Sequence, residues 1–406
     1  MEMKIVRAFP RSMFMVSVIM SFGLVLSVMA NAQRVIVRRL DGSAISPQQI
    51  DAIVTGVMQS AHVDGSGIAI FNDGKIAYLK AYGFRDTAKR LPLTPDSIMT
   101  AASLTKPVFA TMVMQLVQKR IIDLDTPIYE YLPKPLPEYP NYADLANQPN
   151  YRLITMRMLL DHTSGLPNWR RFTDDKMLRI YFTPGSRFAY SGEGIALAQM
   201  VVETVTKKSV SDLMKEYVFE PVRMTRTSMV WEPRFKENCA NGYDPHGKSM
   251  GPEERTHGDA AGGMQTTLRD YAAFALAVLD GKIPDEKVRG QMLSPQIRIF
   301  EKTEFPSLTT ETTAANDAIR LSYGLGWGLF WTPYGKAFFK EGHDDLGWRH
   351  YVVCFARPRS GMLIMTNSDN GEDIYSTLLD KVLGDTFTPL EWEGFKAPAS
   401  SNQRRP

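Results

Sequence analysis

Strand-like runs crowd both ends of this chain and helix-like runs fill its middle, and that order narrows the folds open to it. Near the start, SGIAIFND and IAYLKAYG flank Asn72-Asp73-Gly74, a tight-turn signal for a hairpin. Near the end, RHYVVCFA and GMLIMTN are β-rich and joined by Arg357-Pro358-Arg359-Ser360. Between them, apolar residues recur with helical spacing from Ser103 to about Arg120, at 153–161, 194–206 and 209–218, and from Thr266-Thr267-Leu268 to Asp280-Gly281. Ser46-Pro47 opens a helix through Ala61, and another from about Asp373 to Leu383 closes the pattern. This order predicts an α+β fold. An antiparallel sheet is built from N- and C-terminal segments, flanked by helices, with a mostly helical lobe inserted. The sheet part is expected at about 47–102 and 336–385 and the lobe at about 103–335, with the site where the two meet. Residues 122–150, rich in proline and tyrosine, predict a loop that is a lid, a rim or surface padding.

Composition supports one large globular domain, expected over residues 33–395 of 406, since 44% hydrophobic and 22% charged residues are ordinary for a packed protein. Lys4, Arg7 and Arg11 precede an apolar run, Met13 to Ala30, and Ala30-Asn31-Ala32 is a small-x-small cleavage signal. Residues 1–32 are therefore expected to be a signal peptide cleaved near Ala32-Gln33. The mature protein would be periplasmic or secreted, without stable membrane insertion. Losing that segment takes out three basic residues and one acidic one, and the net charge falls from +3 to +1. A near-neutral surface gives no reason to expect nucleic acid. Cys239 and Cys354 are too few for a disulfide framework, and Cys354 in a buried strand is expected as a free thiol. The last residues, 396–406, are expected to be a disordered tail.

The chemistry gathers at the first inserted helix. Ser103 and Lys106 stand three apart in AASLTKPVFATMVMQLVQKR, so their side chains share a face. Unpaired N–H groups at a helix start favour developing negative charge. A nucleophile, a proton acceptor and half an oxyanion site fit in one turn. Three other segments carry polar groups on tight loops: Phe188-Ala189-Tyr190-Ser191-Gly192-Glu193-Gly194, Gly342-His343-Asp344-Asp345-Leu346-Gly347, and Ala260-Ala261-Gly262-Gly263-Met264. A tyrosine beside a lysine is expected to ionise more readily and to serve as general base.

In this order the segments, with MRMLLDHTSGLP, FEPVRMTRTSM and AAGGMQTTLRDYAAF, resemble the penicillin-binding-protein-like serine hydrolases. That family includes class C β-lactamases, D,D-carboxypeptidases, D-aminopeptidases and related esterases. The resemblance runs from about residue 50 to 385. It implies that Ser103 is acylated, that Lys106 and Tyr190 share the proton work, and that no metal or cofactor takes part. It also implies an oxyanion hole made by the Ser103 N–H and the Leu346 N–H, with His343 in the Lys-Thr-Gly or His-x-Gly segment that lines the substrate. Two positions depart from the pattern. Gly192 stands where the Tyr-x-Asn motif has Asn, with Ser191 or Glu193 as candidates to substitute. Asp345 stands where the third motif has Gly, and the run to the next strand is about two residues short. The Asp345 carboxylate repels substrates that carry one, and both departures argue against an efficient β-lactamase, while Asp344 or Asp345 could bind a substrate amine. The expected substrate is a small or short-peptide ester or amide, neutral or bearing an amine, D-amino-acid-containing ones among them. A D,D-carboxypeptidase, a D-aminopeptidase, a weak β-lactamase and a ligand-binding protein without turnover remain as alternatives. Oligomeric state stays open.

Overall fold

The computed structural model describes residues 1–2 and 36–396. The chain divides into residues 1–36 and 37–406, and the fold below is that of the second unit. The expected signal peptide, Met1 and Glu2 apart, and the expected tail, Lys396 apart, lie outside the described residues. Among the described residues no helix is long and apolar enough to cross a membrane.

Asp73 and Gly74 both take left-handed backbone, φ 51° and 70°, and fold strand β1 (Gly65–Asn72) onto β2 (Lys75–Asp86) as the sequence predicts. β3 (Leu91–Pro92) pairs with β2 at one edge of the sheet. The C-terminal half supplies β4 (Ile297–Arg298), β5 (Ser322–Tyr323), β6 (Gly328–Thr332), β7 (Gly335–His343), β8 (Arg349–Phe355) and β9 (Ser360–Thr366). The spatial order is β4-β5-β6-β7-β8-β9-β1-β2-β3, antiparallel throughout, so β9 meets β1 and the two halves of the sequence form one sheet. Residues 297–332 thus add three strands upstream of 336, where helical lobe was expected. They escape a sequence reading because two are only two residues long, below the length at which alternation shows.

Helix α1 (Pro47–Ala61) begins as predicted: Ser46 caps it, Gln49 closes the capping box, and Pro47 takes the first turn. It packs with the C-terminal helical segment on one face of the sheet. The helical lobe, with α2 (Thr105–Gln118), α3 (Gly192–Thr206) and α4 (Leu268–Leu279), covers the other face. Burial on both faces explains the unbroken apolar strands. Along β8, Val352 and Cys354 enter the lobe-side core while Tyr351, Val353 and Phe355 enter the other. Cys354 is buried there as a free thiol, and Cys239 is free as well.

Residues 122–150 form short 3₁₀ turns that bury Ile128, Leu136, Tyr142 and Leu145 in the lobe core. None of them lines the Ser103 cavity. Instead the Asn141 carbonyl accepts a 2.8 Å hydrogen bond from Arg170 and so supports the loop that walls the site.

Candidate active site

Ser103 lies in a 3₁₀ turn, Ala102–Leu104, that leads directly into α2. Ala102 has φ 47°, a left-handed conformation that costs a residue with a Cβ on the order of 1–3 kcal/mol and is typically held by its surroundings. Here Ala101 N–H donates to Met264 O (2.7 Å), Thr105 Oγ1 donates to Ala102 O (2.7 Å) and Tyr271 Oη donates to Leu104 O (3.1 Å). The turn is held on three sides, and the Ser103 side chain projects into a cavity of about 300 Å³ between sheet and lobe.

Lys106 is 1% exposed and donates to Ser103 Oγ at 2.9 Å and to Ala261 O at 2.6 Å. The small-residue segment 260–264, a weak signal in the sequence, thus supplies the carbonyl that aims the lysine. Burial, with Lys340 beside it, lowers the Lys106 pKa to about 7; Glu341, Asp259 and Glu304 oppose that shift. A lysine poised there exchanges a proton near neutrality.

Tyr190 is 2% exposed, with Lys106 Nζ 4.9 Å and Lys340 Nζ 4.4 Å from its ring centroid. The expectation that it ionises readily is overturned. Burial, with Glu341 and Glu304 nearby, pushes its phenol well above the ordinary value, and the nearby Ser103 hydroxyl does not reverse that. A cation near a phenol favours phenolate only where desolvation and neighbouring carboxylates do not outweigh it. His162, from the MRMLLDHTSGLP segment, leans on the Tyr190 ring at 4.5 Å and accepts the Ser191 N–H at its Nδ1 (3.2 Å). Burial and the two lysines keep it neutral.

A Lys-x-Gly run lies three residues upstream of the expected third motif. Lys340-Glu341-Gly342 on β7 fits the Lys-x-Gly pattern: Lys340 reaches Tyr190, and Gly342 lies against the nucleophile turn. A Cβ at Gly342 would stand 2.9 Å from both Ala101 O and Leu104 N, so only glycine permits that approach. His343, Asp344 and Asp345 remain at the cavity mouth as lining residues. Asp344 accepts the N–H groups of Leu346 (2.8 Å) and Trp348 (3.4 Å), and burial raises its pKa to about 6.

Leu346 therefore does not serve as oxyanion donor, because its N–H is already bonded to Asp344 and it does not line the cavity. The β7–β8 ladder gives a better one. Lys336 O accepts from Ala356 and Asp344 N–H donates to Trp348 O, so even-numbered residues of β7 face β8. His343 is odd-numbered. It turns its N–H to the other side, past Gly328, where β6 has ended.

Ser191 and Gly192 also take other roles. Ser191 caps α3, accepting the Gly194 N–H (2.8 Å) and donating to Pro167 O (2.9 Å). Gly192 makes room for an indole: a Cβ there would stand 2.5 Å from Trp169 Cζ2. The space of a side chain at the Tyr-x-Asn asparagine position is filled by an aromatic ring from another loop. Asn168 and Arg170 latch that loop to α3. Asn168 Oδ1 accepts the Gly192 N–H (3.1 Å), and Arg170 grips Glu193 with Nε (2.9 Å) and Nη2 (2.8 Å). Glu193 is thus the loop's anchor. None of these roles was read from the sequence, although the invasion of a glycine position by Trp169 has no local signal to read.

Behind Tyr190, Glu304, Glu341 and Glu393 place carboxylate oxygens within 4.8 Å of one another, fully buried. Lys340 bonds Glu341; burial works against its charge, but Glu341, Tyr323 and Glu304 hold it above the ordinary lysine value. Burial and the neighbouring carboxylate of Glu341 push Glu304, to about 8, and Glu393 above the ordinary carboxylate value.

Comparison with known proteins places the chain by family and fold. Protein flp of Staphylococcus aureus strain MRSA252 is 26% identical over 219 residues, covering 50% of this chain and 42% of its own length, so this chain matches less than half of that relative. A beta-lactamase of Yersinia enterocolitica is 24% identical over 378 residues, covering 88% of this chain and 87% of its own. The fold matches the octameric penicillin-binding protein homologue from Pyrococcus abyssi at TM-score 0.67 and 21% identity, over 84% of this chain and 78% of that one. It matches D-alanine carboxypeptidase AmpC from Burkholderia cenocepacia at TM-score 0.64 and 18% identity, over 82% and 98%. With a family model for beta-lactamase matching residues 50–383 as well, the chain belongs to the beta-lactamase family.

Proposed function

We propose that this protein is a serine hydrolase that forms an acyl-enzyme at Ser103 with ester or amide substrates. The observation that carries the reading is the 2.9 Å contact between Ser103 Oγ and a buried Lys106 whose pKa is lowered to about 7. Neutral Lys106 takes the serine proton as Oγ attacks the carbonyl carbon. The N–H groups of Ser103 and His343 receive the oxyanion. Tyr190, held neutral, passes the proton from Lys106 to the leaving alcohol or amine as the carbonyl reforms and the acyl bond breaks. Water then attacks the acyl-enzyme, giving up its proton along the same route, and Ser103 is restored. Lys340 remains charged and keeps Lys106 from holding its proton too tightly.

Neutral substrates fit best. Glu341, Asp259, Asp344 and Asp345 all line the cavity, against Lys106, Arg171 and Arg255. A buried Glu341 at the middle position of the third motif disfavours a substrate carboxylate there. This supports esters or amides without a free acid over β-lactams and over peptides cut beside a C-terminal carboxylate. Export remains part of the proposal, on the strength of residues 1–32.

A fluorophosphonate probe on the purified protein tests the reading. Wild type is expected to label stoichiometrically and Ser103→Ala not at all. A folded wild type that resists the probe would instead mark a ligand-binding protein on this scaffold.

A further inference from the structure

Beside the Ser103 cavity runs a second depression of about 460 Å³, and the two share Asn168, Trp169, Phe172, Phe305 and His343 along their common wall. Its far end is closed by Pro306 and Leu308, and Tyr181 flanks it. Two of the large apolar side chains that this surface leaves in water, Phe172 at 64% and Tyr181 at 41% exposure, lie in this groove. Exposed aromatics gathered in a concave strip are costly unless they meet something apolar. Both walls are fixed rather than loose. The Arg170–Glu193 pair holds the Trp169 side. On the other side Arg187 donates to Thr309 O at 2.7 Å and to Leu308 O at 3.3 Å. Arg171 lies over the rings of Trp169 (5.2 Å) and Phe172 (4.7 Å), which orders the rim.

The space continues to the reacting serine because Gly192 has no side chain and Trp169 fills its place with an apolar face. A polar amide at that position would interrupt an apolar path; the indole extends it. We propose that this groove takes an apolar arm of the substrate, an unbranched alkyl or aromatic chain attached to the carbonyl that Ser103 attacks. The inference rests on the acyl-enzyme reading and deepens it: the substrate class is esters, or secondarily amides, of medium-length or aromatic acyl groups. Volume and character suit such a guest, since pockets of several hundred cubic ångströms with aromatic walls enclose ligands of that size.

The test uses the purified protein and two ester series. One is p-nitrophenyl esters from acetate to decanoate, which lengthen the acyl side. The other is acetates of alcohols of matching length, which lengthen the leaving group. In the acyl series kcat/KM is expected to climb with chain length, by up to about fourfold for each buried methylene, then level off once the groove is full. Phe172→Asp, at an exposed position, is expected to lower the octanoate-to-acetate ratio of kcat/KM at least tenfold. Ser307→Trp, which narrows the groove without placing charge in it, is expected to move the plateau to shorter chains. A climb confined to the alcohol series would overturn the acyl assignment. Flat profiles in both series, with fluorophosphonate labelling of Ser103 intact, would overturn the groove and leave the acyl-enzyme standing. Absence of labelling would remove both.

Discussion

Two lysines face one tyrosine at this site, and their surroundings shift them in opposite directions. Lys340 bonds Glu341 and stays cationic; Lys106 bonds a serine and a carbonyl, neither of which carries charge, and its pKa falls to about 7. Activity that needs neutral Lys106 is therefore expected to rise with pH through a limb near 7 in a kcat/KM profile. Lys340→Met removes the neighbouring cation and leaves Glu341 beside Lys106, and both changes favour protonated Lys106. The limb is expected to move to higher pH by about one unit, with labelling of Ser103 at high pH retained. An unmoved limb would mean that a different group titrates. Ser-x-x-Lys was legible because both partners lie in one turn. In the letters alone the third motif reads at His343. Only the pairing of β7 shows that Lys340 meets Tyr190 and that Gly342 meets the Ser103 turn.

At the scale of elements, the loop 167–172 and the start of α3 act as one piece. Asn168, Arg170, Gly192 and Glu193 bind them together, and Trp169 is seated by the lack of a side chain at position 192. Gly192→Ala would put a methyl group into the indole. The ring must move, and overpacking of this kind costs about 1–3 kcal/mol. A lower melting temperature is expected, together with a loss of the long-chain ester preference larger than the loss on acetate. An unchanged melting temperature would show that the loop yields freely. Sequence periodicity found most helices of the lobe, though not Glu286–Met292, and both hairpins at the ends of the chain, since each rests on neighbours along the chain. It could not find this latch, whose partners lie more than twenty residues apart, or the two-residue strands β4 and β5. The proline-rich segment 122–150 illustrates the same limit: its composition suggests a loop, but only its buried Leu136, Tyr142 and Leu145 show that it is a buttress.

For the molecule as a whole, the carboxyls behind the site set a pH dependence of stability. Glu304 is pushed above its ordinary value of 4.5 by burial and by Glu341, so the folded protein keeps a proton that the unfolded chain gives up. Where the folded state binds more protons, stability falls as pH rises. Relative to wild type, Glu304→Gln is expected to gain melting temperature as pH rises from 5 to 8, because it lacks this proton linkage. Equal slopes would show that Glu304 ionises in the fold as it does in water. The sheet carries another consequence. Ser66 on β1 pairs with Thr366 on β9, 300 positions later, so the central seam joins early and late parts of the chain. During synthesis the nucleophile and its lysine emerge long before Gly342, Lys340 and the oxyanion donor exist. A ribosome that stalls or a protease that clips the last quarter therefore leaves a fragment with the reactive serine but no means of using it. The proposed chemistry therefore needs two distant stretches of the chain paired in one sheet before any of it can run.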